Sequence, residues 1–291
     1  MGAAVRLAPI EPALAETATF LDATLDALLP HPAGPESRLI EAMRYATMGA
    51  TQRLRGFLVL QSGRLFGVDR RALGRVAVAV ECLHASSAIR DDLPAEADPE
   101  PRQAKPAVHK AFDRRTARLA SDTLLMLAPS LLASPETHGD PFVRCDLVAK
   151  LASAGGYGGM TGGRMIEASM GTQQPSFAEL TRMARMKTAA LITFCCESGA
   201  ILAKASSSAR QALIAYGQEL GLACEISTDI SNFGNGVTGG MRNSVASLLG
   251  CERALAQAEA LAAQAASHLD LFDEKADLLR AAANFITTRQ A

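Results

Sequence analysis

The chain has no tryptophan, only three tyrosines and ten phenylalanines among 291 residues, so aromatic platforms for stacking bases are scarce. It has no excess of one charge either. Its 29 basic side chains stand against 30 acidic ones, a formal net charge of -1, and no broad field draws nucleic acid or anionic lipid. Its six cysteines, Cys82, Cys145, Cys195, Cys196, Cys224 and Cys251, form no C-x-x-C pair. They sit mostly in apolar helical text and read as small buried residues of a reducing compartment, not as a disulfide frame. No uninterrupted apolar run reaches membrane length. "AALITFCCESGAILA" comes closest, and with Glu197 inside it reads as a buried core helix. The opening "MGAAVRLAPIEP" lacks the apolar core of a secretory signal. Alternating strand text and short-period repeats are also missing. The expectation is a soluble cytoplasmic protein with no membrane span and no nucleic-acid partner.

What is present is helix. Apolar residues recur at helical spacing in text rich in Ala, Leu, Arg and Glu. "LIEAMRYATMGATQRLRGFLVLQSGRLFG" predicts two helices with a basic break from Gln52 to Arg55. "RRALGRVAVAVECLHASSAIRDD" predicts a strongly apolar helix ending on two aspartates. Pro94, Pro99, Pro101 and Pro106 make the following segment a loop. Helices follow in "RLASDTLLMLAPSLLA" and "DLVAKLASAGG", then a glycine-rich joint from Gly155 to Gly163. Two long helices, "TRMARMKTAALITFCCESGAILAKA" and "RQALIAYGQELGLACEISTDISNF", precede a second glycine-rich piece, Gly234 to Gly240. Two closing helices, "ERALAQAEALAAQAASHLDLF" and "KADLLRAAANFITTRQA", complete the chain. The class is all-α, a single domain over 1–291, with a core of ample size.

Two acid-bearing helix ends stand out, one opening at Asp91 and one around Asp229. Facing each other across a cavity, they suit Mg²⁺, which takes carboxylate oxygens, water and substrate phosphate oxygens. Apolar helix walls below would take a hydrocarbon tail.

Several stretches, in order along nearly the whole chain, carry a resemblance. "AMRYATMGATQRLRGFLVL" is similar to AMRY…GGKRLRP, and "ECLHASSAIRDDLPA" to H…HDDLPAMD. "KPAVHKAF" is similar to KPTxHxxFG, "ASDTLLMLA" to AGDALLxLA, "GMTGGRMIE" to GMxGGQxxD and "RMKTAALI" to HxxKTGALI. The chain thus resembles the trans-isoprenyl diphosphate synthases, or polyprenyl synthetases, near the bacterial farnesyl and geranylgeranyl diphosphate synthases. The resemblance implies a helical bundle around a deep central cavity, usually a homodimer. It implies Mg²⁺ held by two aspartate-rich motifs. An allylic diphosphate then loses its leaving group, isopentenyl diphosphate attacks the cation, and a proton is lost.

Carried over residue by residue, the pattern is partly kept. Asp91, Asp92, Lys187 and Thr188 match and are the expected catalytic residues. The expected metal ligands are Asp91, Asp92, Asp98, Glu225 and Asp229. Ala97 stands where the family has a third aspartate, with Glu96 and Asp98 beside it. The second motif, "GLACEISTDISN", keeps Asp229 but has Thr228 and Asn232 for aspartates. Glu225 replaces a glutamine, four residues before Asp229 and so on one helical face. Expected substrate contacts are Gln52, Arg55, His84, Arg102, Arg164, Arg242 and the pocket residues Ser86 and Ser87. Gln52 replaces a lysine, with Arg53 adjacent as a compensating charge. Gln103 replaces the partner of Arg102, and Arg164 replaces a glutamine. Losing a charge-assisted contact costs about 1.5–3 kcal/mol. The small Ser86 and Ser87, a turn before the first motif, imply a tail of farnesyl size or longer.

Two functions of different class follow. One is an Mg²⁺-dependent prenyltransferase that elongates with isopentenyl diphosphate, or a diverged cyclase or lyase that ionises alone. The other is a catalytically impaired homologue that binds prenyl diphosphates or partners an active synthase in a heteromer.

Overall fold

The computed structural model describes residues 9–49, 52–93, 105–170, 175–234 and 243–288. Among the described residues there are helices and no strands. In chain order they are α1 (Glu11–Leu28), α2 (Ser37–Thr47), α3 (Leu54–Arg64), α4 (Arg70–Asp91), α5 (Val108–Ala111), α6 (Arg114–Ala133), α7 (Pro141–Gly155) and α8 (Met160–Ser169). Next come α9 (Phe177–Ala184), a π-turn (Arg185–Ala189), α10 (Ala190–Leu202), α11 (Ser207–Gly234), α12 (Val245–Leu249), α13 (Cys251–Ser267), a 3₁₀ segment (Asp270–Ala276) and α14 (Asp277–Thr288). The all-α expectation holds. α1 was not anticipated. The first glycine-rich joint is shorter than expected, because α8 already begins at Met160.

α4 is the centre of the bundle. It starts where the Asp69 carboxylate caps the backbone N–H groups of Arg71 and Ala72. From Val76 to Val80 its side chains are apolar and fully buried. A helix that is apolar all round belongs in a core. It is also the one described helix long and apolar enough to span a bilayer, contrary to the reading that singled out the α10 text, but it is enclosed by its neighbours. It packs against α3 and α6, while α10 lies between α3, α7 and α11. Glu197 in α10 is buried, yet not stranded. Arg210 reaches it from α11 through Nε and Nη2 at 2.8 and 2.7 Å, and Lys150 stands 3.5 Å away. A smaller core, including Leu180, Met183, Leu222, Ile226, Val245 and Leu261, joins α9 and α11 to α12 and α13.

The expected single long helix through "TRMARMKTAALITF" is divided. One extra residue is accommodated in the π-turn, which places Lys187 and Thr188 at the break. Glycines on both sides hold this turn. A Cβ on Gly163 of α8 would meet the Lys187 backbone, and one on Gly221 of α11 would meet Ala189, each far inside van der Waals contact. Glycine therefore lets three backbones approach where a larger residue would push them apart.

Candidate active site

The first motif lies at the end of α4. Asp91 is its last residue and Asp92 its cap, both half-buried. Asp91 is ion-paired with Arg164, which reaches across from α8 through Nη1 to the Asp91 Oδ2. Three residues on, Glu167 shares the α8 face with Arg164. Its Oε1 is 2.6 Å from Lys187 Nζ, and Glu225 Oε1 on α11 is 3.0 Å from the same nitrogen. Thr188 donates its hydroxyl to Glu225 Oε2. α8, the π-turn and α11 thus meet at one lysine.

Burial alone pulls the Lys187 ammonium down, but Glu225 and Glu167 outweigh it and the net shift is upward, so the lysine is held charged. Asp229 goes the other way. Burial, then the charge of Glu225, pushes its carboxyl up to about 7. Among the described residues acid outweighs base here: Asp91, Asp92, Glu167, Glu225 and Asp229 are five carboxylates, against the three cations Arg55, Arg164 and Lys187.

Arg55 on α3 approaches His84 on α4, Nη1 to Nε2, at 3.3 Å. The Arg55 charge first, then burial, then Arg164, holds the imidazole well below its ordinary value, so His84 is neutral. The structure corrects the expectation for Arg53. Its backbone is left-handed at φ 39 and its side chain is 1% exposed. The guanidinium donates to Glu81 at 2.8 Å, Asp22 at 2.5 Å and the Thr47 carbonyl at 2.7 Å. It holds α1, α2, α3 and α4 together and brings no charge to replace the missing lysine. Gln52 itself is exposed.

Below the first motif lies an apolar cavity of about 320 Å³ between α4, α6, α7 and the start of α8. Leu83, Ser86 and Ser87 line one side, Leu125, Met126 and Pro129 another. Ser86 is only 1% exposed, because its hydroxyl meets that of Ser121 on α6 at 3.1 Å while Ser121 donates to the Ser86 carbonyl at 2.8 Å. Ser86 is therefore a clasp between helices as well as a wall of the pocket.

Asp98, Arg102 and Arg242 lie outside the described residues. Of the others, the structure joins Asp91 to Arg164, Arg55 to His84, and Lys187 with Thr188 to Glu225. Sequence reasoning passed over Glu167, although it occupies the acidic place of the quoted GMxGGQxxD pattern. It also left Lys105 of "KPAVHKAF" without a role. That ammonium donates to the carbonyls of Tyr45 and Met48 at 2.5 and 3.1 Å and lies over the Tyr45 ring, closing the C-terminus of α2.

For Mg²⁺ the donor chemistry is right. Among the described residues hard carboxylate oxygens are in surplus, and half-buried Asp229 sits beside Glu225. Among the described residues no three ligating side chains converge on one point. The carboxylates therefore fit Mg²⁺ as scattered ligands shared with phosphate oxygens, not as a closed cage.

The polyprenyl synthetase family profile matches residues 36–238. Farnesyl diphosphate synthase of Escherichia coli (strain K12) is 34% identical over 270 residues, 86% of this chain and 89% of that protein. Geranylgeranyl diphosphate synthase of Cyanophora paradoxa is 29% identical over 287 residues, 95% of each. The apo crystal structure of an FPP/GFPP synthase from Zymomonas mobilis superposes with a TM-score of 0.89 at 40% identity, covering 96% of this chain and 99% of that one.

Proposed function

Because the chain belongs to the polyprenyl synthetase family and is thereby a prenyltransferase, we propose that it binds an allylic prenyl diphosphate with Mg²⁺, ionises it and elongates it with isopentenyl diphosphate. The observation that carries this reading is the charged cluster at the end of α4 directly above an apolar cavity: a place for an anionic head over a place for a hydrocarbon tail.

In this reading the diphosphate head lies among Arg164, Lys187 and the carboxylates Asp91, Asp92, Glu225 and Asp229. Bound Mg²⁺ supplies electrostatic stabilisation of the charge that develops on the leaving diphosphate. The allylic C–O bond breaks and its electron pair leaves with the diphosphate oxygen. Arg164 and Lys187 hold that oxygen-rich group, while Thr188 keeps Glu225 oriented. The tail runs down between α4 and α6 past Ser87. Arg55 and neutral His84 serve the second substrate, whose double bond attacks the allylic carbon before a proton is lost. Gln52 contributes hydrogen bonds without charge, so the second substrate binds less tightly than a lysine would allow.

We place the enzyme in the cytoplasm as a homodimer. The exposed Leu119 and Met126, seven residues apart on one stripe of α6, support a self-association face.

The test is diphosphate release from geranyl, farnesyl and geranylgeranyl diphosphate with Mg²⁺, with and without isopentenyl diphosphate, followed by product analysis. Release that depends on isopentenyl diphosphate and yields a longer chain is the expected result. Release without it would replace elongation by a cyclase or lyase reaction. No release with any substrate would leave a binding or partner subunit.

A further inference from the structure

We propose that Arg164 is a resident counter-ion of the first aspartate motif, which competes with a divalent cation for Asp91 and transfers to the diphosphate when cation and substrate bind. This rests on the prenyl-diphosphate reading above and deepens it.

The geometry begins with charge placement. In the pattern the chain resembles, the residue at 164 is a neutral glutamine and the residue at 52 a lysine; here they are Arg164 and Gln52. A cation missing at one position of the pattern is matched by an added one at another. Arg53 does not fill the gap, since Glu81 and Asp22 hold it in the core. Arg164 projects from α8 between opposing charges, with Glu167 and Glu225 attracting it and Arg55 repelling it. Its contact is with Asp91, a carboxylate that this reading gives to the metal. A guanidinium and a divalent cation on one carboxylate repel each other, and in a half-buried site that repulsion is poorly screened. One must therefore weaken the other.

The contact also leaves the arginine half used. Nη1 reaches Asp91, and among the described residues the buried Nε finds no hydrogen-bond partner. A guanidinium presents parallel N–H groups that suit a phosphate's oxygens two at a time. Moving from Asp91 to the diphosphate would satisfy Nε and release Asp91 to the cation. No bond is made or broken in this step. A side chain exchanges one anion for another, and its first partner is handed to the arriving metal. In the ligand-free site the Asp91 carboxylate is thereby kept paired without metal.

Two titrations on the full chain test this. In the first, Mn²⁺ alone is titrated and followed by electron paramagnetic resonance. Arg164→Gln should tighten Mn²⁺ binding about ten-fold, within the 5- to 150-fold range typical of coupling between bound groups. Arg164→Lys, which keeps the charge, should stay near wild type, and it serves as the folded control if the glutamine variant melts early. In an Asp91→Asn background the effect of Arg164→Gln should vanish, because the shared carboxylate is gone. In the second titration, inorganic pyrophosphate is added in saturating Mg²⁺ and followed by calorimetry. Here Arg164→Gln should bind about ten-fold more weakly. Opposite signs in the two titrations are the signature, since a merely structural role would move both the same way.

Unchanged or weaker Mn²⁺ binding in Arg164→Gln overturns the proposal, as does an effect that persists without Asp91. If wild type binds pyrophosphate and farnesyl diphosphate with Mg²⁺ while Arg164→Gln leaves Mn²⁺ affinity unmoved, this inference alone fails. If wild type binds neither, the parent reading fails and this one with it.

Discussion

Lys187 Nζ lies 3.0 Å from Glu225 Oε1, in a chain whose resembled pattern has glutamine at 225. The lysine that would meet the substrate is thus engaged by two glutamates, Glu225 and Glu167. Glu225→Gln should loosen it. With no divalent cation present, inorganic pyrophosphate is expected to bind several-fold more tightly, and stability should fall by about 1–3 kcal/mol as a buried charge-assisted contact is lost. Calorimetry and urea unfolding read the two effects. Weaker pyrophosphate binding would mean that Glu225 recruits cations for the substrate and does not mask Lys187.

Arg53 is placed to hold the bundle, not the substrate. Arg53→Gln leaves Glu81 buried without its partner, and removing one member of a buried pair costs about 3–5 kcal/mol. Urea unfolding should show that loss. An intact midpoint with a raised KM for isopentenyl diphosphate would return Arg53 to the substrate site.

The neutral imidazole of His84 predicts a pH dependence. Its folded pKa is depressed, mainly by Arg55, while the unfolded chain has the ordinary value near 6.5. Below that value the unfolded state takes up a proton that the folded state resists. The contribution to stability is therefore complete above about pH 6.5 and is lost as pH falls. Melting temperatures followed from pH 7.5 to 5 should drop less in His84→Asn than in wild type. Parallel curves would show that His84 protonates freely in the fold.

Ser86 and Ser87 should behave differently although they are neighbours. Ser87→Phe narrows the cavity and should shorten the longest allylic substrate accepted, read by product analysis. Ser86→Phe should shorten it too, but with a stability loss of about 1–3 kcal/mol, because the clasp to Ser121 goes and the site is overfilled. Unchanged chain length in both variants would place the tail elsewhere.

The sequence by itself determined the helical class, the family and the places of most charged residues. Helical periodicity repeats every few residues, and the quoted motifs keep their order across the chain. It also located Asp91, Lys187, Glu225 and Asp229, since each stands within or beside a quoted motif. What a charge does is a different matter, because it depends on partners far away in the chain. Gln52, Arg53 and Arg55 are near neighbours in the text, yet one faces solvent, one is buried against Glu81 and Asp22, and one turns to His84. Only the left-handed backbone at Arg53 and the packing of α1 against α3 and α4 decide this. The same holds for Arg164. Its letter says cation, and it stands 73 positions along the chain from the Asp91 that it meets. The π-turn at Lys187 was hidden for the same reason. Local text favours continuous helix there, and the turn exists where Gly163 and Gly221 let α8 and α11 close on it from either side.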